Sequence, residues 1–156
     1  MARIKAIISK TVAALAVCGF VQVAGAGEFE SPLTACLSNG TAIGGVGSCG
    51  KIWKLKSGKA ELHADGKLKV HVKGLVLNDA SVGQYNGSPD GVDAVAAAVI
   101  CHGPSGAMVA AQLDPVPLGK TGDATVEGKV SLPNGCVGPV VVLRERYEGK
   151  IGGWLA

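Results

Sequence analysis

The stretch Lys59 to Lys73, KAELHADGKLKVHVK, constrains the fold more than any other part of this chain. Apolar and polar residues alternate strictly on both sides of Ala64-Asp65-Gly66, which is the period of two β-strands joined by a tight turn. A three-residue loop with Gly66 in the left-handed conformation sets Leu62 opposite Leu68 and Ala60 opposite Val70 on one face. Glu61 then meets Lys69, His63 meets Lys67 and Lys59 meets His71 on the other. A two-residue loop would pair His63 with Leu68 and mix the faces, so the hydrophobic pattern rejects it.

Period two continues on either side. Trp53 and Leu55 alternate with Lys54 and Lys56, and Leu75 to Leu77 extends the second arm beyond Gly74, where a bulge is expected. Asn78 to Asp93 reads as the longest loop. Ala94 to Cys101 is apolar on both alternating sets and suits a central strand covered on both faces. Ala107 to Leu113 follows, and Asp114-Pro115-Val116-Pro117 ends it, because proline has no N–H for a ladder. A one-sided strand runs from Ala124 to Leu132. Val137 to Leu143 and Ile151 to Leu155 complete the sheet, with Arg144 to Lys150 as a charged loop. No capped stretch of helical period occurs after residue 26. The expectation is an all-β chain: an immunoglobulin-like two-sheet β-sandwich of about eight strands.

Residues 1–26 have the three parts of a secretory signal. Arg3, Lys5 and Lys10 precede an apolar run from Thr11 to Val23, and Ala24-Gly25-Ala26 supplies small residues for cleavage. The mature chain is then a single domain, 27–156, secreted to the cell exterior or periplasm, with no transmembrane segment after cleavage. A lesser alternative reads Leu15-Ala16-Val17-Cys18 as a lipoprotein box with Cys18 acylated, although Val17 is an unusual residue before that cysteine.

Cleavage alters the charge argument. The whole chain carries 15 Lys and Arg against 12 Asp and Glu, but three of the cations lie in the leader, which leaves 12 of each. The basic precursor is therefore no evidence for nucleic acid. Four cysteines remain, and an even number in a small exported chain points to two disulfides. Three connectivities are open. Cys36 and Cys49 flank one Gly/Ser-rich segment, while Cys101 ends one apolar run and Cys136 begins another, which favours Cys36–Cys49 and Cys101–Cys136.

The segments CGKIWKLKSGKAEL, VICHG, LDPVP, GDATVEGKVSLPNGC and PVVVLRE together resemble a family of small exported, mainly bacterial β-sandwich proteins without an assigned activity. The resemblance spans Cys49 to Ala156. It implies a fold and a compartment and assigns no catalytic residue or cofactor.

Few constellations point to chemistry. On the hairpin, His63 and His71 lie about 13 Å apart at 3.4 Å per residue, too far to share one ion. His102 sits in a turn with no second ligand nearby in sequence, so no metal is expected. Asn78, Asp79, Asn86, Asp90 and Asp93 do not have EF-hand spacing. No Gly-x-Ser-x-Gly elbow supports a nucleophile. Asn39-Gly40-Thr41 and Asn86-Gly87-Ser88 match the glycosylation sequon, the second followed by Pro89.

Seven lysines against two acids lie between Lys51 and Lys73, a local net of +5. Lys54, Lys56, Lys59, Lys67, Lys69 and Lys73 form a possible anion-binding face for an acidic polysaccharide or another envelope polymer. No aromatic residues interleave for base stacking, so nucleic acid is not expected. The competing explanation is that these lysines protect an exposed or edge hairpin from pairing with another molecule. The leading expectation is a non-catalytic, secreted surface-binding or envelope-binding protein. The alternatives are a small secreted hydrolase whose active site the sequence does not name, and a subunit of an extracellular assembly.

Overall fold

The computed structural model describes residues 28–37, 41–89 and 91–156. The expected signal segment 1–26, the alternative lipoprotein box ending at Cys18, the expected mature N-terminus at Gly27, the Asn39 sequon and Asp90 lie outside or partly outside them. No helix among the described residues is long and apolar enough to cross a membrane.

The hairpin forms in the expected register. β3 (Ser57–Leu62) pairs antiparallel with β4 (Lys67–Lys73), Leu62 opposite Leu68, Ala60 opposite Val70 and Lys59 opposite His71. The turn closes with a 2.9 Å bond from the His63 N–H to the Lys67 carbonyl, and Gly66 has φ 86°. Asp65 Oδ1 accepts from the Lys67 N–H, and that bond holds its carboxyl below the usual range. Beyond Gly74 the same register resumes in β2 (Trp53–Lys54) and β5 (Val76–Leu77), with Trp53 opposite Leu77. Both arms are thus interrupted together. Gly74 (φ 64°) turns the chain without inserting a residue.

Neither arm of the hairpin is an edge. β1 (Phe29–Pro32) covers β3, and β9 (Ala124–Lys129) covers β4, giving the sheet order β1-β3-β4-β9. This corrects the edge part of the expectation that the lysines protect an exposed or edge hairpin.

The second sheet has the order β11-β10-β6-β7, with β8 pairing β6. Its strands are β6 (Ala94–Gly103), β7 (Gly106–Gln112), β8 (Val116–Pro117), β10 (Val137–Tyr147) and β11 (Lys150–Trp154). Eleven strands therefore occur among the described residues, against about eight expected. Two of the additions are short: β1, whose sequence FESP has no apolar alternation, and β8, which rejoins β6 where proline was expected to end pairing. Arg144 to Tyr147 is strand rather than loop. Its long polar side chains find partners beside the sheet, and only Glu148-Gly149, both with positive φ, make the turn. The Asn78 to Asp93 loop contains a short 3-10 turn, Ala80–Tyr85, whose N-terminal Asp79 accepts from the Ser81 N–H.

β6 is central, and its two faces meet different neighbours. Val95, Ala97, Val99 and Cys101 enter the main core with Leu68, Val70, Leu75, Val126, Leu143 and Leu155. Ala98 and Ile100 face the other way and are covered by Val46, Val142, Ile43 and Trp154. The burial of both faces that the sequence shows thus arises from the turn at 43–46 and from Trp154. The Trp154 indole N–H donates to the Thr41 carbonyl and its backbone N–H to Gly47, which fixes that turn in place.

Two disulfides, Cys36–Cys49 and Cys101–Cys136, staple the chain. The first holds the segment that crosses from β1 to the end of β11, where the Cys36 N–H donates to Leu155. In the chain-entropy account, loops of these lengths contribute about 3 to 4 kcal/mol each. Disulfides of this kind belong to an oxidising, extracellular or periplasmic environment.

Candidate functional site

Because side chains alternate along each strand, Lys59, Glu61 and His63 of the β3 arm share one outer face with Lys67, Lys69, His71 and Lys73 of β4. The neighbouring strands add acids to that face. Glu30, Glu61, Lys69 and Glu127 lie opposite one another across all four strands. Lys59 Nζ is 2.8 Å from both Glu30 and Glu61. Lys67 and Lys69 approach Glu127 at 3.2 and 3.8 Å. Bonding to Glu30, then to Glu61, holds the Lys59 ammonium above the ordinary lysine range, and the same contact holds Glu61 below the carboxylate range. Asp123 accepts from the Gly74 N–H, which lowers its carboxyl.

Among the described residues the face thus carries five lysines, Lys59, Lys67, Lys69, Lys73 and Lys129, and five acids, Glu28, Glu30, Glu61, Asp123 and Glu127. The local excess counted along the sequence is balanced across the sheet.

The six candidate lysines therefore divide. Lys59, Lys67 and Lys69 are held in ion pairs, whereas Lys54, Lys56 and Lys73 have none among the described residues and are exposed. These three lie at one end of the hairpin. The Lys56 N–H donates to the Lys73 carbonyl at 3.1 Å, and Lys54 is opposite Val76.

The histidines remain apart. His71 Nδ1 is 2.8 Å from Thr125 Oγ1, and His63 Nε2 is 3.6 Å from Glu28. Glu28, Glu61 and His63 do bring ligand atoms within 4.8 Å of one another, a grouping not evident in the sequence because Glu28, just before β1, is far from the hairpin along the chain. Glu61 already pairs with Lys59, and all three side chains are at the surface. The cavity beside His102 is lined by Ser105, Met108, Asn134, Cys136 and Val137, and no Asp or Glu among the described residues is in its lining.

No family model, curated protein or solved structure matches this chain.

Two other concavities are larger in consequence than the sequence suggested. An apolar groove of about 680 Å³ runs between residues 29–35 and residues 139–142, with Leu37, Ile43 and Trp154 at its margins and no charged residue in its lining. A second cleft, of about 500 Å³, lies between β2, the 3-10 turn and the end of β10, and gathers Lys51, Trp53, Tyr85, Glu145 and Tyr147.

Proposed function

We propose that the chain is a secreted, non-catalytic binding protein on an immunoglobulin-like sandwich, docking on an acidic polysaccharide or similar envelope polymer through Lys54, Lys56 and Lys73. One observation carries this reading: these three exposed lysines have no ion pair among the described residues, at one end of a sheet on which Lys59, Lys67 and Lys69 are paired with Glu30, Glu61 and Glu127. Such a contact is long-range and weakens as salt shortens the screening length.

Retention of the secreted chain on dextran sulfate resin tests it. Changing Lys54, Lys56 and Lys73 together to Gln is expected to abolish retention at low salt, while the same change at Lys59, Lys67 and Lys69 leaves most of it. Equal losses from both triples, or retention indifferent to salt, would overturn the reading. Intact mass tests the compartment: cleavage after Ala26 with four unalkylatable cysteines is expected, and a lipid on Cys18 would contradict it.

The groove favours a second reading, a subunit that assembles with copies of itself. β11 pairs with β10 at residues 144–147, and the bonding reaches Leu143, which leaves the groove-side edge of Val140–Val142 open among the described residues. Phe29 and Leu37 are 36% and 65% exposed at the margin. Sedimentation velocity decides between them, because the docking reading expects a monomer in the absence of polymer.

A further inference from the structure

The chain has two tryptophans and two tyrosines, and three of these four side chains line the cleft beside β2. Trp53 enters it from β2, Tyr85 from the last residue of the 3-10 turn, and Tyr147 from the last residue of β10. Both tyrosines are about half exposed, at 46% and 50%, so neither ring is needed to fill the core. A β-carbon at Gly91 would lie 3.1 Å from the Tyr147 ring, so glycine there lets the ring rest on the loop.

The polar groups in the cleft have bonding capacity to spare. Trp53 is only 3% exposed, yet its indole N–H has no partner among the described residues. No side-chain nitrogen or oxygen among them is both fully buried and unpaired, so this N–H is within reach of solvent. Glu145 is half-buried and receives one long bond, 3.4 Å, from the Gly153 N–H. Lys51 Nζ reaches Ser81 Oγ at 3.4 Å and keeps two further donors.

Aromatic faces beside donors and acceptors suit a ligand with an apolar face and a polar rim. A pyranose ring has both: C–H groups above and below, hydroxyls around the edge. An organic cation would also stack on aromatic rings. Here the Lys51 ammonium in the same lining repels it.

We propose that this cleft binds a saccharide ring, stacked on Tyr85 and Tyr147 and hydrogen-bonded by the Trp53 N–H, Lys51 and Glu145. The site is separate from Lys54, Lys56 and Lys73 and does not depend on their binding an acidic polymer.

The experiment is saturation-transfer NMR with tryptophan fluorescence on the secreted chain. The probes are neutral hexasaccharides of β-1,4-glucose, β-1,4-N-acetylglucosamine and α-1,6-mannose, with tetramethylammonium chloride as the competing chemistry. At least one hexasaccharide is expected to receive saturation and shift the Trp53 emission. Tyr85→Ala and Tyr147→Ala are each expected to weaken that response tenfold or more. Tyr147→Phe keeps the stacking face and is expected to stay within threefold, which separates lost recognition from lost folding. The Lys54, Lys56 and Lys73 triple Gln variant is expected to bind the neutral sugar as the parent does. No response to any of the three sugars would overturn the proposal. So would a response unchanged by both Tyr→Ala variants, or preference for tetramethylammonium.

Discussion

Replacing Gly66 by Ala separates two costs that the turn keeps apart. Gly66 has φ 86°, where an L-residue with a β-carbon is disfavoured by about 1 to 2 kcal/mol. The added β-carbon would also collide with the Val130 carbonyl oxygen, because the Val130 N–H donates to the Gly66 carbonyl at 2.8 Å and holds the segment after β9 against the turn. Moving it away weakens a bond contributing about 1 kcal/mol. The combined loss is about 2 to 3 kcal/mol. Gly135→Ala is the control: its φ is 84°, but open space surrounds its β-carbon position, so it incurs the conformational cost alone. In urea denaturation with both disulfides intact, at a slope of about 2 kcal/mol per molar, Gly66→Ala is expected to lower the midpoint by about 1 to 1.5 M. Gly135→Ala is expected to lower it by about 0.5 to 1 M. Equal shifts would show that the Gly66–Val130 contact contributes nothing and would refute its part in closing the sheet over β9.

Three further outcomes follow from the core, the disulfides and the titrating groups. Leu68→Ala empties a fully buried position in the centre of the hairpin and is expected to cost about 2 to 5 kcal/mol in the same urea assay; less than 1 kcal/mol would mean the main core does not depend on this register. Limiting reductant followed by alkylation and peptide mapping is expected to label Cys101 and Cys136 first, since Cys136 is part-exposed while Cys36 and Cys49 are fully buried; labelling of Cys36 first would contradict the packing. Glu145 and Asp93 give opposite pH slopes. Burial raises the Glu145 carboxyl, so the folded chain holds the proton longer and stability falls as pH rises from the ordinary glutamate value to the raised one. Bonding to Arg146 lowers Asp93, so its contribution is present above the ordinary aspartate value and is lost as pH falls through the folded one. Stability profiles of Glu145→Gln and Asp93→Asn are therefore expected to flatten on opposite sides of the ordinary carboxyl range, and a change on the same side would refute one assignment.

The hairpin was legible because one face is buried and the pattern is local: a slip of one residue would turn Leu62, Leu68 and Val70 out to water. The cysteine pairing was legible for a similar reason, since each pair brackets a segment whose ends the strands bring together. β1 was not. Phe29-Glu30-Ser31-Pro32 has no alternation, contains a proline and pairs only on one side, so nothing within it announces a strand. Arg144 to Tyr147 was read as loop because charge usually marks solvent. In the folded chain Arg144 donates to Gly152 and Gln112, and Arg146 donates to Asp93, so the same charges are strand side chains with partners on neighbouring segments.

Missing β1 had a larger effect on the site than on the fold. Counting Lys51 to Lys73 along the chain makes the hairpin strongly basic, because a window of 23 residues sees only Glu61 and Asp65. The sheet brings Glu28 and Glu30 from about 30 residues upstream and Asp123 and Glu127 from about 50 to 60 downstream, and charge is felt across strands at about 5 Å as readily as along them. The lysines that remain available are therefore those where the sheet's neighbours end. Lys54 and Lys56 precede the first residue paired with β1, and Lys73 lies beyond the last residue of β4 paired with β9. The aromatic cleft was invisible for the same reason: its residues come from β2, the 3-10 turn and β10, up to 96 positions apart. Its one local sign was placement, Tyr85 in a polar loop and Tyr147 among charges, where a ring adds nothing to a core. In a chain with so few aromatic residues, two exposed tyrosines that the core does not use point to a surface that something else does.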